Sequence, residues 1–424
     1  MLDKFIINGG KPLEGVVRIS GAKNASLALM PATILAPGSY TLSNTPQLRD
    51  VTTMGSLLVS MGFAISHENH FMRIDSTHMT KFEAPYEHVK KMRASVYVLG
   101  PMVSRYGRAK VSLPGGCAWG PRPVNLHIEG MKKLGAEIDI EGGYIIAKAK
   151  RLKGARILFD VSSVGATGNI MMAAVLAQGS TVIENAAMEP EITSLADFLI
   201  KMGAKISGGG TSTVEIEGVD ELRPAAFTTI PDRIEAGTFL VAAAMAGRKG
   251  GKVRVEQCNP LHIGAITYKL EEAGARLAIG KDFVELEPPA EIKPVNVATA
   301  IYSGFPTDMQ AQWIAFMSLA TGPSMIAETI YSDRFTHVPE LIRLGANITV
   351  NENIATVIGS SHLMGAKVMS TDLRASASLI LAGLAAKGTT EVLRVYHIDR
   401  GYEHIEKKLQ GLGAEIKRVS GEEY

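Results

Sequence analysis

An amphipathic stretch that ends in Gly-Ala or Gly-Phe, then runs into a short alternating strand, occurs six times in this chain. The copies read Ser60-Met61-Gly62-Phe63-Ala64-Ile65, Lys133-Leu134-Gly135-Ala136-Glu137-Ile138, Lys201-Met202-Gly203-Ala204-Lys205-Ile206, Glu272-Ala273-Gly274-Ala275-Arg276-Leu277, Arg343-Leu344-Gly345-Ala346-Asn347-Ile348 and Gly411-Leu412-Gly413-Ala414-Glu415-Ile416. Their glycines stand 73, 68, 71, 71 and 68 residues apart. So even a period means one supersecondary unit used repeatedly, each copy burying its apolar face against its neighbours. The repeat is the scaffold. Function is to be sought where the repeat is interrupted.

A second recurring element precedes each of these turns: a short helix apolar on nearly every face, then a glycine, then a β-branched strand. Ile170-Met171-Met172-Ala173-Ala174-Val175-Leu176 and Phe239-Leu240-Val241-Ala242-Ala243-Ala244-Met245 are two examples. A helix with no polar side has to be buried. The second helix of each unit keeps Lys and Glu on one side and is half exposed. Each unit therefore reads β-α-β-α-β(-β). Three units that bury their first helices against one another make a domain with helices inside and sheets outside, and six units make two domains. The strands before about Ser20 are too few to stand alone and are expected to complete the C-terminal domain. The expected division is 1–20 with 230–424, three discontinuous repeats, and 21–229, three repeats that carry the Cys117 loop. The crossings fall near Gly21 and Thr229-Ile230-Pro231.

The buried helices begin differently from unit to unit: Gly21-Ala22-Lys23-Asn24, Arg93-Ala94, Ser163-Val164-Gly165, Asp232-Arg233, Thr307-Asp308-Met309-Gln310 and Asp372-Leu373-Arg374. Helix starts expose N–H groups and the positive end of the dipole, which suits anions. Asp232 and Asp372 are explained as N-caps. Lys23, Arg93 and Arg374 are not, because a cation at a helix start opposes the dipole. A bound anion would reverse that conflict, and two such faces across a cleft would form an anion site.

Unit two alone carries Pro114-Gly115-Gly116-Cys117-Ala118-Trp119-Gly120-Pro121-Arg122-Pro123-Val124-Asn125-Leu126-His127. Its glycines suit a loop that changes conformation over a site. A cysteine beside Arg122 and the helix-start cations has a thiolate-favouring environment. Cys258, the other cysteine, follows a strand and reads as structural. His127 and His397 read as polar or capping residues.

Composition bounds the rest. A net charge of +2 over 424 residues argues against a nucleic-acid partner held by bulk electrostatics. No apolar run reaches the roughly 18–20 residues of a membrane span. Met1-Leu2-Asp3-Lys4 leads straight into strand-like Phe5-Ile6-Ile7, which does not read as a secretory leader. Two cysteines suggest a reducing, cytoplasmic setting. The ten histidines do not pair at metal-ligand spacing, and no phosphate-binding glycine loop stands after a strand.

Gly21-Ala22-Lys23-Asn24-Ala25, Pro114-Gly115-Gly116-Cys117 with Gly120-Pro121-Arg122-Pro123-Val124, Pro306-Thr307-Asp308-Met309-Gln310 and His397-Ile398-Asp399-Arg400-Gly401-Tyr402-Glu403 resemble the UDP-N-acetylglucosamine 1-carboxyvinyltransferases over the entire chain. The resemblance implies a two-domain inside-out α/β barrel of six pseudo-repeats, closing over its substrates. It implies transfer of enolpyruvyl from phosphoenolpyruvate to the sugar 3′-hydroxyl with release of phosphate, the first committed step of peptidoglycan synthesis. Lys23, Arg122 and Arg400 would hold phosphoenolpyruvate, with Arg93 and Arg374 nearby and Asp372 in the same set. Asn24 would touch the sugar, and Asp308 would sit by its 3′-hydroxyl. Arg122, Pro123, Val124, Asn125, Leu126, Ser163, Val164, Gly165 and Ile330 would contact the uridine diphosphate. Arg334, Glu189 and Arg233 match further family positions. One departure is Val161, where many members have lysine.

The chemistry fits these residue types. A substrate with about three negative charges needs a cluster of Lys and Arg, whose guanidinium pairs with two oxygens at once. Addition needs a proton at C3 while the hydroxyl attacks C2. Cys117 could deliver it as general acid, and Asp308 could take the hydroxyl proton in addition or the methyl proton in elimination. No metal or organic cofactor is required, and a monomer or weak homo-oligomer is expected. The 3-phosphoshikimate 1-carboxyvinyltransferases share fold and chemistry, but the cysteine loop and the run from Arg122 to His127 favour the nucleotide sugar. A DNA sliding clamp also has six pseudo-repeats, yet it would need a basic inner ring that near-neutral charge does not supply.

Overall fold

The computed structural model describes residues 3–90, 92–113 and 124–420. At all six recurring turns the glycine has positive φ, between 88° and 108°. Its N–H returns to the carbonyl three residues back and the next N–H to the carbonyl five back, as from Gly203 to Ile200 and from Ala204 to Leu199, both 2.9 Å. The pair satisfies the helix's last carbonyls in a backbone conformation that a Cβ would strain. The residue after the glycine turns inward. Phe63, Ala136, Ala204, Ala275, Ala346 and Ala414 are all buried.

The strands form six separate four-stranded sheets, each with the same internal order. One edge strand pairs parallel with its neighbour, and the remaining two pairings are antiparallel. In one such sheet Ala226–Thr228 lies parallel to Ser39–Ser43, which is followed by Phe71–Asp75 and Ala64–Glu68. No continuous hydrogen-bonded barrel links the sheets among the described residues.

The chain divides into two compact units, Met1–Ser20 with Pro231–Tyr424, and Gly21–Ile230. The N-terminal strands serve two sheets of the first unit. Asp3–Asn8 lies between Thr389–Leu393 and Glu415–Ser420, and Gly15–Arg18 pairs parallel with Val253–Glu256.

Each unit has three inner helices. In the Gly21–Ile230 unit they are α1 (Lys23–Ala32), α2 (Leu99–Tyr106) and α3 (Val164–Ala174). In the other they are α4 (Arg233–Ala246), α5 (Gln310–Met317) and α6 (Leu373–Ala385). All eight residues of α5 are buried, and Trp313 meets Phe305 and Phe316 edge-on at 5.3 and 5.2 Å. Burying each such side chain contributes about 1.5–3 kcal/mol, which is what anchors helices with no polar face. The apolar run Ser95–Leu99 departs from the expected α-helix. Arg93–Val98 is a 3-10 turn that leads into α2. Pro101 is the physical reason, since it lacks the N–H that would bond Tyr97 and its ring would crowd that carbonyl. Among the described residues no helix is long and apolar enough to cross a membrane.

Candidate functional site

In the Gly21–Ile230 unit, the predicted residues gather at the starts of the inner helices. Lys23 and Asn24 open α1, whose N-cap Ala22 makes no side-chain cap and whose first turn holds no acid. Asp50, in the first turn of the Arg49–Ser60 helix, places its Oδ2 3.6 Å from Lys23 Nζ. Both side chains are largely buried, 13% and 5% exposed. The carboxylate thus offsets the helix dipole that opposes a cation at this position. Arg93 begins the 3-10 turn, and Ser163 caps α3 by accepting from the Ala166 N–H at 3.3 Å.

His127 ties two distant parts of the sequence together. Asn169 Oδ1 accepts from the Gly100 N–H at 2.7 Å while its Nδ2 donates to the Val96 carbonyl at 2.9 Å, which fixes the amide's orientation. The same Nδ2 lies 2.9 Å from His127 Nδ1, so Nδ1 accepts and the ring proton sits on Nε2. Burial first, then the Arg93 charge, lowers this imidazole to about 4. Nε2 faces Gly165, where an added Cβ would lie 3.1 Å away, so the glycine lets the ring approach the first turn of α3. Tyr97 adds a hydrogen bond from its hydroxyl to the Val164 carbonyl at 3.2 Å. The runs Val124–Leu126 and Ser163–Gly165 are therefore neighbours. Val161, the departure from the family pattern, is 66% exposed.

The other unit holds its predicted residues around Asp308, in the turn Thr307–Met309 before α5. Arg374 Nη2 donates to Asp308 Oδ2 at 2.7 Å, and Arg334 Nη2 lies 2.8 Å from Oδ1. The arginines are almost fully buried, while the carboxylate keeps a quarter of its surface. Burial pulls the Arg374 guanidinium down, but Asp308, then Tyr402 and Asp232, outweigh it and raise the net value. Arg374 Nη1 also donates to the Tyr402 hydroxyl at 3.2 Å. That hydroxyl lies 2.8 Å from Thr238 Oγ1 and accepts from Gln312 Nε2 at 3.2 Å. Burial raises the phenol, so Tyr402 stays protonated. Arg334 Nη1 donates to Thr307, Thr307 donates to Glu328, and Glu328 accepts from the N–H of Ile330 and Tyr331. Ile330 is in this way placed by the network that also orients Arg334.

Asp372 caps α6, accepting from the N–H groups of Arg374 and Ala375 at 2.8 and 3.2 Å. Arg400 ends the 3-10 turn Val395–Arg400, two residues before Tyr402. Arg233, the first residue of α4, lies 5.7 Å from the Tyr302 ring, and Glu189 is the N-cap of the Pro190–Lys201 helix. Cys258 is buried, its thiol pushed up to about 11 by burial, so it is poorly suited to act as a nucleophile. Cys117, Arg122 and Pro123 lie outside the described residues. Nothing in the residue pattern marks Asp50, Thr238, Gln312 or Glu328 as members of these networks. Asp50 lies far along the chain from Lys23, and Thr238 and Gln312 far from Arg374, while Glu328 stands six residues before Arg334 and reaches it through Thr307.

A carboxylate gripped by two guanidiniums with one edge open can exchange a proton with a ligand. Lysine and arginine at uncapped helix starts can hold an anion. Comparison with known proteins agrees with that chemistry. The family described as EPSP synthase (3-phosphoshikimate 1-carboxyvinyltransferase) matches residues 7–409. The chain is 58% identical over 426 residues to a protein of Chloroherpeton thalassium named UDP-N-acetylglucosamine 1-carboxyvinyltransferase, covering 100% of this chain and 99% of that one. A protein of the same name from Geobacter metallireducens is 54% identical over 418 residues, covering 99% of this chain and 100% of that one. Among solved structures, the enolpyruvyl transferase NikO from Streptomyces tendae superposes with a TM-score of 0.89 at 26% identity, over 99% of this chain and 100% of that one. An EPSP synthase from Acinetobacter baumannii, at 18% identity and a TM-score of 0.76 over 99% of this chain and 100% of that one, shares the fold.

Proposed function

The chain belongs to the EPSP synthase family of enolpyruvyl transferases, and on that footing we propose that it transfers enolpyruvyl from phosphoenolpyruvate to the 3′-hydroxyl of UDP-N-acetylglucosamine, releasing phosphate. The observation that carries this reading is identity of 54–58% along essentially the whole chain to proteins named for that reaction. The product would enter peptidoglycan synthesis, which sets the enzyme in the cytoplasm, as a monomer or weak homo-oligomer.

In addition, the sugar oxygen bonds to C2 of phosphoenolpyruvate while C3 gains a proton. In elimination, the C2–O bond to phosphate breaks and C3 gives up a proton to restore the double bond. Lys23, Arg93, Arg122, Arg374 and Arg400 neutralise phosphate and carboxylate, so the substrate's charge does not oppose the developing transition state. Asp308 takes the hydroxyl or methyl proton, and Cys117 supplies the proton to C3. Asn24 and Asp372 contribute to substrate placement. Val124, Asn125 and Leu126 with Ser163, Val164 and Gly165 receive the nucleotide, joined by Pro123 and Ile330. Ser163–Gly165 opens α3, so its free N–H groups suit a diphosphate even where Val161 replaces lysine.

The family description names the shikimate reaction, so the decisive experiment offers both acceptors. Phosphate release from phosphoenolpyruvate should appear with UDP-N-acetylglucosamine and be absent with shikimate 3-phosphate. The opposite result would replace this reading. Cys117→Ser should lose most turnover and all inactivation by fosfomycin, whereas Cys117→Asp should turn over yet resist alkylation. Full turnover in the serine variant would remove the thiol from the mechanism.

A further inference from the structure

The inner helices of the Gly21–Ile230 unit run away from the candidate site toward a cavity of about 530 Å³ at their other end. Its lining includes Leu35 just beyond α1, Ser104–Gly107 at the end of α2, and Leu176 just beyond α3. Ten residues of α1, about 15 Å of helix, separate this end from Lys23. The cavity therefore lies apart from every residue given a role above.

The equivalent end of the other unit is closed by the chain itself. There the loop between Asp3–Asn8 and Gly15–Arg18 brings Leu13 onto the end of α4: the Leu13 N–H donates to Ala246 at 2.8 Å, and Arg248 donates to Leu13 at 3.0 Å. Leu13 is fully buried. The topological counterpart is the loop between Thr213–Glu217 and Ala226–Thr228, which carries Asp220, Glu221 and Leu222. Among the described residues no backbone hydrogen bond joins that loop to the Thr33–Leu35 turn after α1, and the cavity opens between them.

The charges inside do not cancel. Asp220 pairs with Arg151 at 2.8 Å, and Glu221 lies 3.6 Å from Arg223. Arg105 and Lys150 also line the space, and neither has a carboxylate partner among the described residues. Arg105 is half buried. Its Nη1 donates to the Ile34 carbonyl at 2.7 Å and its guanidinium lies 4.6 Å from the Tyr106 ring. A cation at a helix end is expected to bond a terminal carbonyl, which accounts for Nη1. Among the described residues it leaves Nε and Nη2 without an acceptor, and burial holds this guanidinium below its ordinary value. Leu35, Pro37, Leu176 and Leu222 supply an apolar floor.

We propose that this cavity is a binding site for a small organic anion with an apolar body, its acid group held by Arg105 and Lys150 and its body resting on the leucines. A planar acid group can take Nε and Nη2 together, and an apolar body is desolvated by the floor as it enters. The site stands independently of the reaction assigned above.

Isothermal titration of the full chain with 2-naphthoate as probe tests it. Saturable binding is expected, weakened about tenfold or more in Lys150→Glu and in Arg105→Gln, because each change removes a charge-assisted contact. Lys150 is exposed at the rim, so its variant folds even if loss of the Arg105 bond to Ile34 destabilises the other. Lys23→Ala, at the far end of α1, should bind the probe as the parent does, and neutral 2-naphthamide should bind at least about tenfold more weakly. The proposal fails if no saturation occurs below about 10 mM, if both cavity variants keep the parent affinity, if the amide binds equally, or if Lys23→Ala loses as much as Lys150→Glu.

Discussion

The two units start their inner helices with opposite chemistry on one scaffold. In the unit of α4 to α6 each start carries a carboxylate, with Arg233 and Arg374 close behind two of them. Asp232 accepts from the N–H groups of Ile234 and Glu235, Asp372 caps α6, and Asp308 precedes α5. In the unit of α1 to α3 the starts carry Lys23, Arg93 and a single neutral cap, Ser163. Asp232 and Asp372 cap α4 and α6 with carboxylates, whereas α1 has neither a side-chain cap nor an acid in its first turn, which suits a ligand anion. The glycine turns that end the outer helices are the same in both units, so the scaffold is specified at one end of the repeat and the chemistry at the other. Asp308 is nonetheless held by Arg334 and Arg374 of its own unit, so the base and part of the cation set share one unit.

The largest effect should come from Asp308→Asn. The amide keeps the shape between Arg334 and Arg374 but cannot take a proton, so turnover should fall by about 10²–10⁴-fold in the phosphate-release assay. A cooperative thermal transition should persist, showing that the loss is chemical. Turnover near the parent rate would erase the contrast, leaving the acidic starts as caps alone. Next comes Lys23→Ala, which removes the cation from an uncapped helix start. Loss of about 10²-fold in kcat/KM for phosphoenolpyruvate is expected, about 3 kcal/mol of substrate and transition-state stabilisation. If Asp50 rather than substrate is what Lys23 serves, stability will drop and kcat/KM will hardly change.

Legibility in the sequence follows the range of the interaction. The six turns could be read because their hydrogen bonds close within six residues and demand positive φ at one of them. The buried helices could be read because an apolar run has nowhere else to go. Lys23, Arg93 and Arg374 stood out because each opposes the local dipole, a conflict visible in a few residues. The partners that resolve it did not: Asp50 looks like an ordinary first-turn acid, and Thr238, Gln312 and Tyr402 converge on Arg374 only through packing of α4, α5 and α6. The 3-10 turn at Arg93–Val98 had a signal in Pro101, which an apolar count overlooks.

Tyr402→Phe probes those unseen partners. It leaves Asp308 and Arg374 in place and deletes one hydrogen bond to a buried guanidinium, so kcat should fall by about tenfold. KM for the nucleotide sugar should stay put. A larger change in KM than in kcat would mean that the phenol positions substrate rather than arginine.

The smallest expected effect separates the units by stability rather than by rate. Each contains a buried imidazole lowered first by burial and then by an arginine, His127 to about 4 beside Arg93 and His337 to about 3 beside Arg334. Folding depresses both below the ordinary 6.5, so the unfolded chain binds these protons more readily. Stability is whole above pH 6.5 and is lost as pH falls toward the folded values. By pH 5 each imidazole should have withdrawn on the order of 2 kcal/mol. Hydrogen exchange read on α3 and on the Val338–Arg343 helix resolves the units. His127→Gln should flatten the pH 7 to pH 5 loss on α3 alone, and His337→Gln should flatten it on the Val338–Arg343 helix alone. If either variant flattens both profiles, the units unfold as one body and their opposite helix starts share a single stability.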